Sequence, residues 1–241
     1  MEYTKTLFIG DSIVKGIVPD NGRYKVLDDS YYNKFTEAVF SPTENKGRFG
    51  LTSEKFLKNI EKLKNSDADL IFFSIGGNDC NLNWKALSEN PESEHLPAVS
   101  KSDFERNLIA IYSFFNKTGR NIIAINFPPL HAEKFFTYFS QNLNSSNILK
   151  WLGNISRIYY HHEAYNSIFE SVTRSFNVDM IDIRSRFLRE DNLEKLVSID
   201  GMHPSKEGHD LIYREISNHL LYTAVQLQRI LNLRSRERVL R

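Results

Sequence analysis

Short apolar segments, separated by stretches with helical spacing, run along most of the chain. Each segment is about as long as a buried strand. Strands that alternate with helices usually form a parallel sheet, because a parallel connection has to cross the face of the sheet. The pattern therefore predicts an α/β fold. Its strands are expected at residues 6–9, 69–75, 121–127 and 178–183, with a weaker one at 43–46.

The stretches between these segments carry the apolar spacing of helices. Ser12 opens a short turn that should stop near Gly16, and an irregular stretch to Asp28 is expected after it. The residues Ser102-Asp103-Phe104-Glu105 have the form of a capping box at the start of a long helix. Pro204 fits the first turn of the last helix, because proline lacks an N–H. Helices are predicted at 31–39, at 52–63 with Thr52 or Ser53 as N-cap, at 102–119, at 155–176 with Asn177 ending it, and at 205–231.

Two connections, residues 80–101 and 128–154, are longer than usual. Each follows the C-terminal end of a predicted strand, which is the edge of a doubly wound sheet where ligands bind. We therefore expect these two inserts to shape an active-site cleft. No repeat, low-complexity tract or Pro/Gly linker divides the sequence, so one domain over residues 1–241 is predicted.

Composition narrows the classes of function. Hydrophobic residues make up 41% of the chain and charged residues 25%, as in ordinary soluble proteins. The formal net charge of +1 gives no general attraction to nucleic acid or to an anionic membrane. The single cysteine, Cys80, excludes an intramolecular disulfide and a cysteine-based zinc site. No apolar run approaches the ~20 residues of a membrane span, and no leader is visible, so a cytoplasmic protein is expected.

Ser12 is the first candidate for chemistry, because it follows the first predicted strand in Gly10-Asp11-Ser12 and begins a helix. Free N–H groups at a helix N-terminus stabilise developing negative charge. Serine is a weak nucleophile, however, and needs a base within hydrogen-bonding distance. Ser12 is therefore either a nucleophile or an ordinary N-cap after a glycine turn.

Asp200 and His203 could supply that base. Residues three apart project to the same side of a helical turn, so the Asp200 carboxylate can accept a hydrogen bond from one ring nitrogen of His203. The other ring nitrogen is then free to take the serine proton, as in a Ser-His-Asp triad. The alternative is a capping aspartate and an exposed histidine before Pro204.

Acyl transfer also needs hydrogen-bond donors for the oxyanion of the tetrahedral intermediate. The candidates are the N–H of Ser12, the side-chain amide of Asn78 at the end of a strand, and the N–H of Gly50. Glycine lets the backbone approach a substrate without a Cβ clash, although Gly50 also fits an ordinary turn before a helix.

The sequence resembles the SGNH hydrolases, the GDSL-type esterase and lipase superfamily. The resemblance rests on the order and wide spacing of Gly10-Asp11-Ser12, Gly50, Gly76-Gly77-Asn78-Asp79 and Asp200-Gly201-Met202-His203, and it extends from Thr6 to about His219. It implies Ser12 as nucleophile, His203 as general base and Asp200 as its partner. It implies an oxyanion hole made of the Ser12 N–H, the Gly50 N–H and Asn78, and a three-layer, flavodoxin-like fold with a five-stranded parallel sheet between helices.

Several other residues have competing interpretations. The adjacent His161 and His162 suggest metal ligands, but such a pair is more often on a solvated helix face. Cys80 is a candidate nucleophile, but a packed or pocket-wall thiol is favoured because no histidine pattern accompanies it. The aromatic run 135–139 is either an amphipathic helix packed on the sheet or a flap over the serine that binds acyl chains or sugar rings. Four further residues are expected to contact the substrate: Asp11, Asp79, Phe136 and Tyr138.

These features predict a metal-independent serine esterase that needs no cofactor and acts through an acyl-enzyme on Ser12. The expected partner is a small-molecule ester with a small or medium acyl group, and an O-acetylated carbohydrate is one candidate. The polar run at 140–147 favours short acyl groups. The alternatives are a thioesterase, a lysophospholipase or an acyltransferase with the same triad, and a non-catalytic carbohydrate- or lipid-binding module.

Overall fold

The computed structural model of the protein describes the backbone of residues 5–239 and the side chains of residues 5–226. Seven strands lie in this part of the chain: β1 (Thr6–Gly10), β2 (Ile17–Asp20), β3 (Arg23–Val26), β4 (Thr43–Asn45), β5 (Leu70–Ser74), β6 (Asn121–Ile125) and β7 (Asp179–Ile181). Five of them form one parallel sheet in the order β4-β1-β5-β6-β7. All five predicted strands are present. The one predicted with the weakest pattern, at 43–46, is the edge strand β4.

Eleven α-helices occur among the described residues. They are α1 (Ser12–Lys15), α2 (Tyr31–Ala38), α3 (Ser53–Leu57), α4 (Trp84–Glu89), α5 (Lys101–Lys117), α6 (Ala132–Phe139), α7 (Ser145–Leu152), α8 (Ser156–Ser175), α9 (Ile183–Leu188), α10 (Leu193–Leu196) and α11 (Lys206–Val239), and a 3-10 turn follows α3 at Ile60–Leu63. The break between α3 and this turn divides the single helix predicted for 52–63.

The central strands are buried on both faces, because their side chains alternate between two cores. Ile9 of β1 and Phe73 of β5 belong to a cluster that includes apolar residues of α3, α5 and α8. Phe8 and Phe72 point the other way and pack with residues of α2, α9 and α11. Helices therefore cover both faces of the sheet, which confirms the predicted three-layer arrangement.

The two inserts pack against each other and form a third apolar cluster. Trp84 of α4 contacts Phe135 and Phe139 of α6, with ring centroids 6.0 and 4.2 Å apart. The buried members of this cluster are Leu82, Leu87, Leu130, Ala132, Ile148, Leu152 and Ile158. The aromatic run 135–139 thus packs on the first insert, an arrangement that neither sequence interpretation included.

A β-hairpin, formed by β2 and β3, stands where an irregular stretch was predicted. Its turn is Asn21-Gly22, and both residues have positive φ, 48° and 76°. Asn-Gly is a strong signal for a tight hairpin turn, because both residues adopt this conformation readily. The prediction missed the hairpin because β2 is short, contains Pro19 and does not alternate between apolar and polar residues.

The roles predicted for two residues at helix starts, Ser102 and Pro204, are also wrong. The N-cap of α5 is Ser100, whose Oγ accepts a hydrogen bond from Asp103 N at 3.1 Å, and Ser102 lies inside the helix. Pro204 precedes α11 and is paired with Val197 in an isolated bridge. Ser205 Oγ accepts from Gly208 N at 3.1 Å and so caps that helix. In both helices the N-cap is a serine whose side chain accepts a hydrogen bond from a free N–H.

None of the helices among the described residues has the length and apolar character needed to cross a membrane. The assignment of the whole chain to one domain stays a prediction.

Candidate active site

Ser12 is the first residue of α1, and its hydroxyl is not used as a cap. Asp11 is the N-cap of this helix, because its Oδ1 accepts from Ile13 N at 3.0 Å. Gly10, the last residue of β1, has no room for a side chain, since a Cβ there would lie 2.2 Å from Ser74 O. The tight strand-to-helix turn therefore leaves the Ser12 hydroxyl at the C-terminal edge of the sheet, and the interpretation of Ser12 as an N-cap is wrong.

The structure brings Ser12, His203 and Asp200 into one hydrogen-bonded chain. Nε2 of His203 lies 2.9 Å from Ser12 Oγ, and Nδ1 lies 2.6 Å from Asp200 Oδ2. His203 is fully buried and Asp200 is 1% exposed, so the exposed-histidine interpretation is wrong as well. Distances and order are those of a Ser-His-Asp triad.

Asp200 and His203 lie on a tight loop before α11, not on the helical turn that their spacing suggested. Oδ1 of Asp200 accepts from the N–H groups of Met202 and His203 at 3.1 and 3.0 Å, which folds the loop back on itself. Burial alone would raise the pKa of Asp200, but its hydrogen bonds and its proximity to His203 hold this pKa below the usual value. Asp200 is therefore charged at neutral pH and orients the imidazole.

Gly201, in the middle of this loop, contacts the second insert closely. Its φ is +69°, and a Cβ there would lie 2.4 Å from Phe135 N and 2.6 Å from His131 O. His131 N also donates a hydrogen bond to Gly201 O at 2.8 Å. The start of α6 is thus fastened to the loop that carries Asp200 and His203.

Asn78 follows β5 and lines the same small cavity as Ser12. One hydrogen of its amide is directed to Asp11, with Asn78 Nδ2 and Asp11 Oδ2 3.3 Å apart. An amide nitrogen has two hydrogens, so the other can be donated to a substrate oxygen. Asp11 is 6% exposed, and burial raises its pKa. Asp11 lines the cavity and orients Asn78, and its contact with substrate stays a prediction.

Gly50 lies in the turn after β4, with φ +67° and no atom near the position of a Cβ. This turn is fastened to β1 by a hydrogen bond of 3.0 Å from Arg48 N to Gly10 O. Gly50 is not among the described residues that line the cavity beside Ser12. Its place in the oxyanion hole stays a prediction. Gly47, three residues earlier, packs against the backbone of Lys15 and has no open space around it.

Asp79 does not reach the cavity, so the expectation that it contacts substrate is wrong. It is fully buried, and its carboxylate accepts from the N–H of Ser53 at 3.0 Å and from the Ser53 hydroxyl. Burial raises the pKa of Asp79 to about 7. Its carboxylate instead binds the free N–H at the start of α3, and this interaction fastens α3 to the loop that carries Asn78.

The Cys80 thiol is a packed group in a pocket wall, as favoured from the sequence. It is 8% exposed, and Sγ lies 3.1 Å from Gly77 O. Burial raises the pKa of this thiol to about 12. Thiolate, the nucleophilic form, is therefore scarce at neutral pH.

His161 and His162 face the interior and not solvent, so the solvated-face interpretation is wrong. His161 Nε2 donates to Cys80 O at 2.9 Å. His162 is 6% exposed, and burial lowers its pKa to about 3. Its Nδ1 has no hydrogen-bond partner among the described residues. No local pattern indicates that these histidines are covered, because their burial depends on the packing of α8 against both inserts.

Two adjoining cavities lie beside Ser12. The smaller contains Ser12 and Asn78 in its lining, and the larger lies between the inserts and α8. Phe135 lines the larger one, whereas the predicted Phe136 is in neither lining among the described residues. Gly77, His162 and Met202 line both. These three residues therefore form the boundary between the two cavities.

The hairpin places Tyr24 over the triad. The ring centroids of Tyr24 and His203 lie 5.4 Å apart, and those of Tyr24 and Phe49 lie 5.3 Å apart. Burial raises the pKa of Tyr24, and the nearby Asp200 and Tyr138 raise it further. Tyr138 therefore lies beside Tyr24, and its contact with substrate stays a prediction. Tyr24 was missed because nothing local in the sequence connects it with residue 203.

The sequence and the fold of the chain can both be compared with those of known proteins. The sequence model of the GDSL-like lipase/acylhydrolase family matches residues 8–211 of the chain. The chain belongs to this family. The resemblance to SGNH hydrolases is thereby confirmed, and the match covers β1 through the start of α11.

Individual members of the family are distant in sequence. The GDSL esterase/lipase WDL1 of Oryza sativa subsp. japonica is 23% identical over 218 residues, which cover 88% of this chain and 76% of that protein. A lipase/acylhydrolase from Enterococcus faecalis has a TM-score of 0.63 at 17% identity, with 90% of this chain and 94% of that chain covered. Axe2, an acetylxylan esterase from Geobacillus stearothermophilus, has a TM-score of 0.61 at 18% identity, with 88% and 92% covered. These structures share the fold of the GDSL family with this chain.

Proposed function

We propose that this GDSL-family protein is a serine esterase that hydrolyses carboxylic esters through an acyl-enzyme on Ser12. The observation that carries the proposal is the hydrogen-bonded chain from Asp200 through His203 to Ser12, with spacings of 2.6 and 2.9 Å. A buried aspartate that accepts from Nδ1 leaves Nε2 as the acceptor for the serine proton.

In the first half of the reaction, Ser12 Oγ bonds to the ester carbonyl carbon while His203 Nε2 takes its proton. The charged Asp200 stabilises the imidazolium that forms. His203 then gives this proton to the alkoxy oxygen as the C–O bond of the ester breaks. The alcohol leaves, and the acyl group remains on Ser12.

The oxyanion of the tetrahedral intermediate needs fixed donors. The Ser12 N–H at the start of α1 and the free hydrogen of the Asn78 amide are the first two, and we assign the Gly50 N–H as the third. Asp11 holds the Asn78 amide in place before substrate arrives. Fixed donors of this kind stabilise the transition state because they need no reorganisation during the reaction.

In the second half, a water molecule replaces the alcohol. His203 takes a proton from the water as it adds to the acyl carbon, and then returns a proton to Ser12 Oγ as the acid is released. Every proton is returned within the cycle, so these steps balance with the residues of this chain, one ester and one water.

The proposed substrates are esters with a small or medium acyl group. Acetylated carbohydrate is one candidate, because Axe2 is named an acetylxylan esterase. Thioesters and acyl transfer to alcohols would use the same triad, so product analysis with acyl thioesters and added alcohols has to accompany the ester assays.

A fluorophosphonate probe tests the proposal directly, because it labels activated nucleophilic side chains and serine above all. We expect one stoichiometric label, found by peptide mass spectrometry on Ser12, together with loss of p-nitrophenyl ester hydrolysis. Failure to label Ser12 and failure to hydrolyse any ester would contradict the proposal and favour a binding module.

A further inference from the structure

The two cavities beside the triad differ greatly in size. The cavity that contains Ser12 and Asn78 has a volume of about 20 Å³, room for one or two water molecules. The adjoining pocket has a volume of about 100 Å³, room for roughly seven to ten water molecules. An acetyl group bound at Ser12 would fill the first and leave the second empty.

The larger pocket is mainly apolar. Trp84 and Leu82 of the first insert face Phe135, Trp151 and Leu152 of the second, and Ile158 of α8 completes the wall. These are the same side chains that hold the two inserts together. Such a lining favours a hydrocarbon group, because a ligand gains binding free energy here mainly by burying its apolar surface.

The polar groups on this wall are either hydrogen-bonded within the protein or uncharged. The Arg157 guanidinium donates to Trp151 O at 3.2 Å and lies over the Trp151 ring, 5.2 Å from its centroid. His161 donates to Cys80 O. His162, whose pKa is lowered to about 3, is neutral at assay pH. Arg157 is exposed, so its charge stays in contact with solvent. The pocket therefore gives a hydrocarbon chain no buried charge to desolvate among the described residues.

The direction of the substrate follows from the position of His203. The leaving alcohol has to lie near Nε2 of His203, because it receives its proton there. Of the described residues, His203 and the Tyr24 that covers it line neither cavity. The acyl group is on the other side of the carbonyl carbon, so it points to the cavities and not to Tyr24.

We propose that the pocket between the inserts and α8 binds the acyl chain, and that the preferred acyl group is an unbranched one of about six to eight carbon atoms. The inference rests on the proposed function and adds the substrate class to it. It departs from the preference for short acyl groups that the polar run at 140–147 suggested, because the pocket wall is built by residues outside that run.

A series of p-nitrophenyl esters from acetyl to decanoyl tests the length preference, since the leaving group stays constant. We expect kcat/KM to rise by up to about fourfold for each added methylene, the effect of burying one CH₂. The rise should stop near hexanoyl or octanoyl, where the pocket is full. An optimum at acetyl would overturn the inference.

A matched pair of variants on α7 tests the location. Leu152 lines the pocket, whereas Leu149 is 38% exposed on the outer side of the same helix. We expect Leu152→Phe to lower the octanoyl-to-acetyl ratio of kcat/KM by about fourfold, because the larger side chain takes the space of about one methylene. Leu149→Phe should leave this ratio unchanged. Equal effects of both variants would show that the chain binds elsewhere.

Leu152 is buried, so a larger residue there could prevent folding, and a second variant is needed. Trp151→Ala enlarges the same pocket, and we expect it to move the optimum toward decanoyl. An unchanged optimum in correctly folded Trp151→Ala, with folding checked by the thermal unfolding midpoint, would contradict the inference.

If the wild-type protein is labelled on Ser12 but prefers acetyl, only the acyl pocket is wrong. If it is neither labelled nor active, the proposed function itself fails.

Discussion

The two walls of the candidate site are held in different ways. The first, formed by Asp11, Ser12 and Asn78 at the ends of β1 and β5, is fixed by hydrogen bonds to backbone and to neighbouring side chains. The second, formed by Trp84, Phe135 and Leu152 of the inserts, is fixed by apolar packing. We call them the polar wall and the apolar wall.

The difference separates the rate of the reaction from the choice of substrate. Hydrogen bonds fix atoms to within a few tenths of an ångström, which an oxyanion hole requires. Apolar packing specifies a shape, and that shape can change by one side chain at a time without loss of the fold. Changes in the polar wall should therefore alter kcat, and changes in the apolar wall should alter the preference among esters.

The largest expected effect comes from the triad. Ser12→Ala and His203→Ala should each lower kcat by as much as about 10⁶-fold, and the double variant should be no slower than either, because members of a triad act as a unit. Stopped assays with the hexanoyl ester would measure this. A fluorophosphonate label that persists in Ser12→Ala and disappears in Cys80→Ala would transfer the nucleophile to the thiol.

The hydrogen bonds behind the polar wall should make stability depend on pH through Asp79. Its pKa is 3.8 in the unfolded chain and about 7 in the folded protein. The folded state therefore binds more protons between these values, so the free energy of unfolding should fall as pH rises from about 4 to 7, by up to about 4 kcal/mol.

Urea unfolding of wild type and Asp79→Asn across this pH range would measure the effect. The amide does not ionise, so the difference in unfolding free energy between the two proteins should change with pH. A constant difference would show that Asp79 is already charged at pH 4. Asp191→Asn is a suitable control, because Asp191 is an exposed residue in the turn between α9 and α10.

The next effect concerns the oxyanion. Asn78→Ala should lower kcat by about 10²–10³-fold with little change in KM, because its amide meets a charge that exists only in the transition state. Asn81→Ala, three residues further along the same loop and in the lining of the apolar pocket, should act mainly on KM. A normal kcat with a raised KM in Asn78→Ala would assign Asn78 to ground-state binding.

The smallest effect is expected from Tyr24→Phe. This change keeps the ring that covers His203 and removes the hydroxyl near Asp200, so kcat should fall by about fivefold, the value of one modest hydrogen bond. Tyr24→Ala, which also uncovers the triad, should lose more. Identical kinetics of the Phe variant and wild type would limit Tyr24 to a cover for the imidazole.

The residues of the polar wall could be predicted from the sequence, and most residues of the apolar wall could not. Ser12, Asn78 and Asp200 each follow a recognisable strand end or motif, and parallel strands bring such ends to one edge. His162 and Phe135 reach the pocket only because residues 80–101 pack against 128–154 and α8, contacts between segments that no local pattern specifies. Asp79 was misplaced for the same reason, since its partner Ser53 is 26 residues away.

One backbone contact joins the helix that carries Phe135 of the apolar wall to the loop that carries Asp200 and His203. The start of α6 is hydrogen-bonded to Gly201 and leaves no room for a side chain there. An engineer who grafts residues 128–139 from a relative, in order to exchange ester preference, would therefore also disturb the turn between Asp200 and His203. In natural lineages the same contact would make substitutions in α6 and in residues 198–203 depend on each other. New specificity would then be acquired by mutating single pocket side chains and not by swapping the loop.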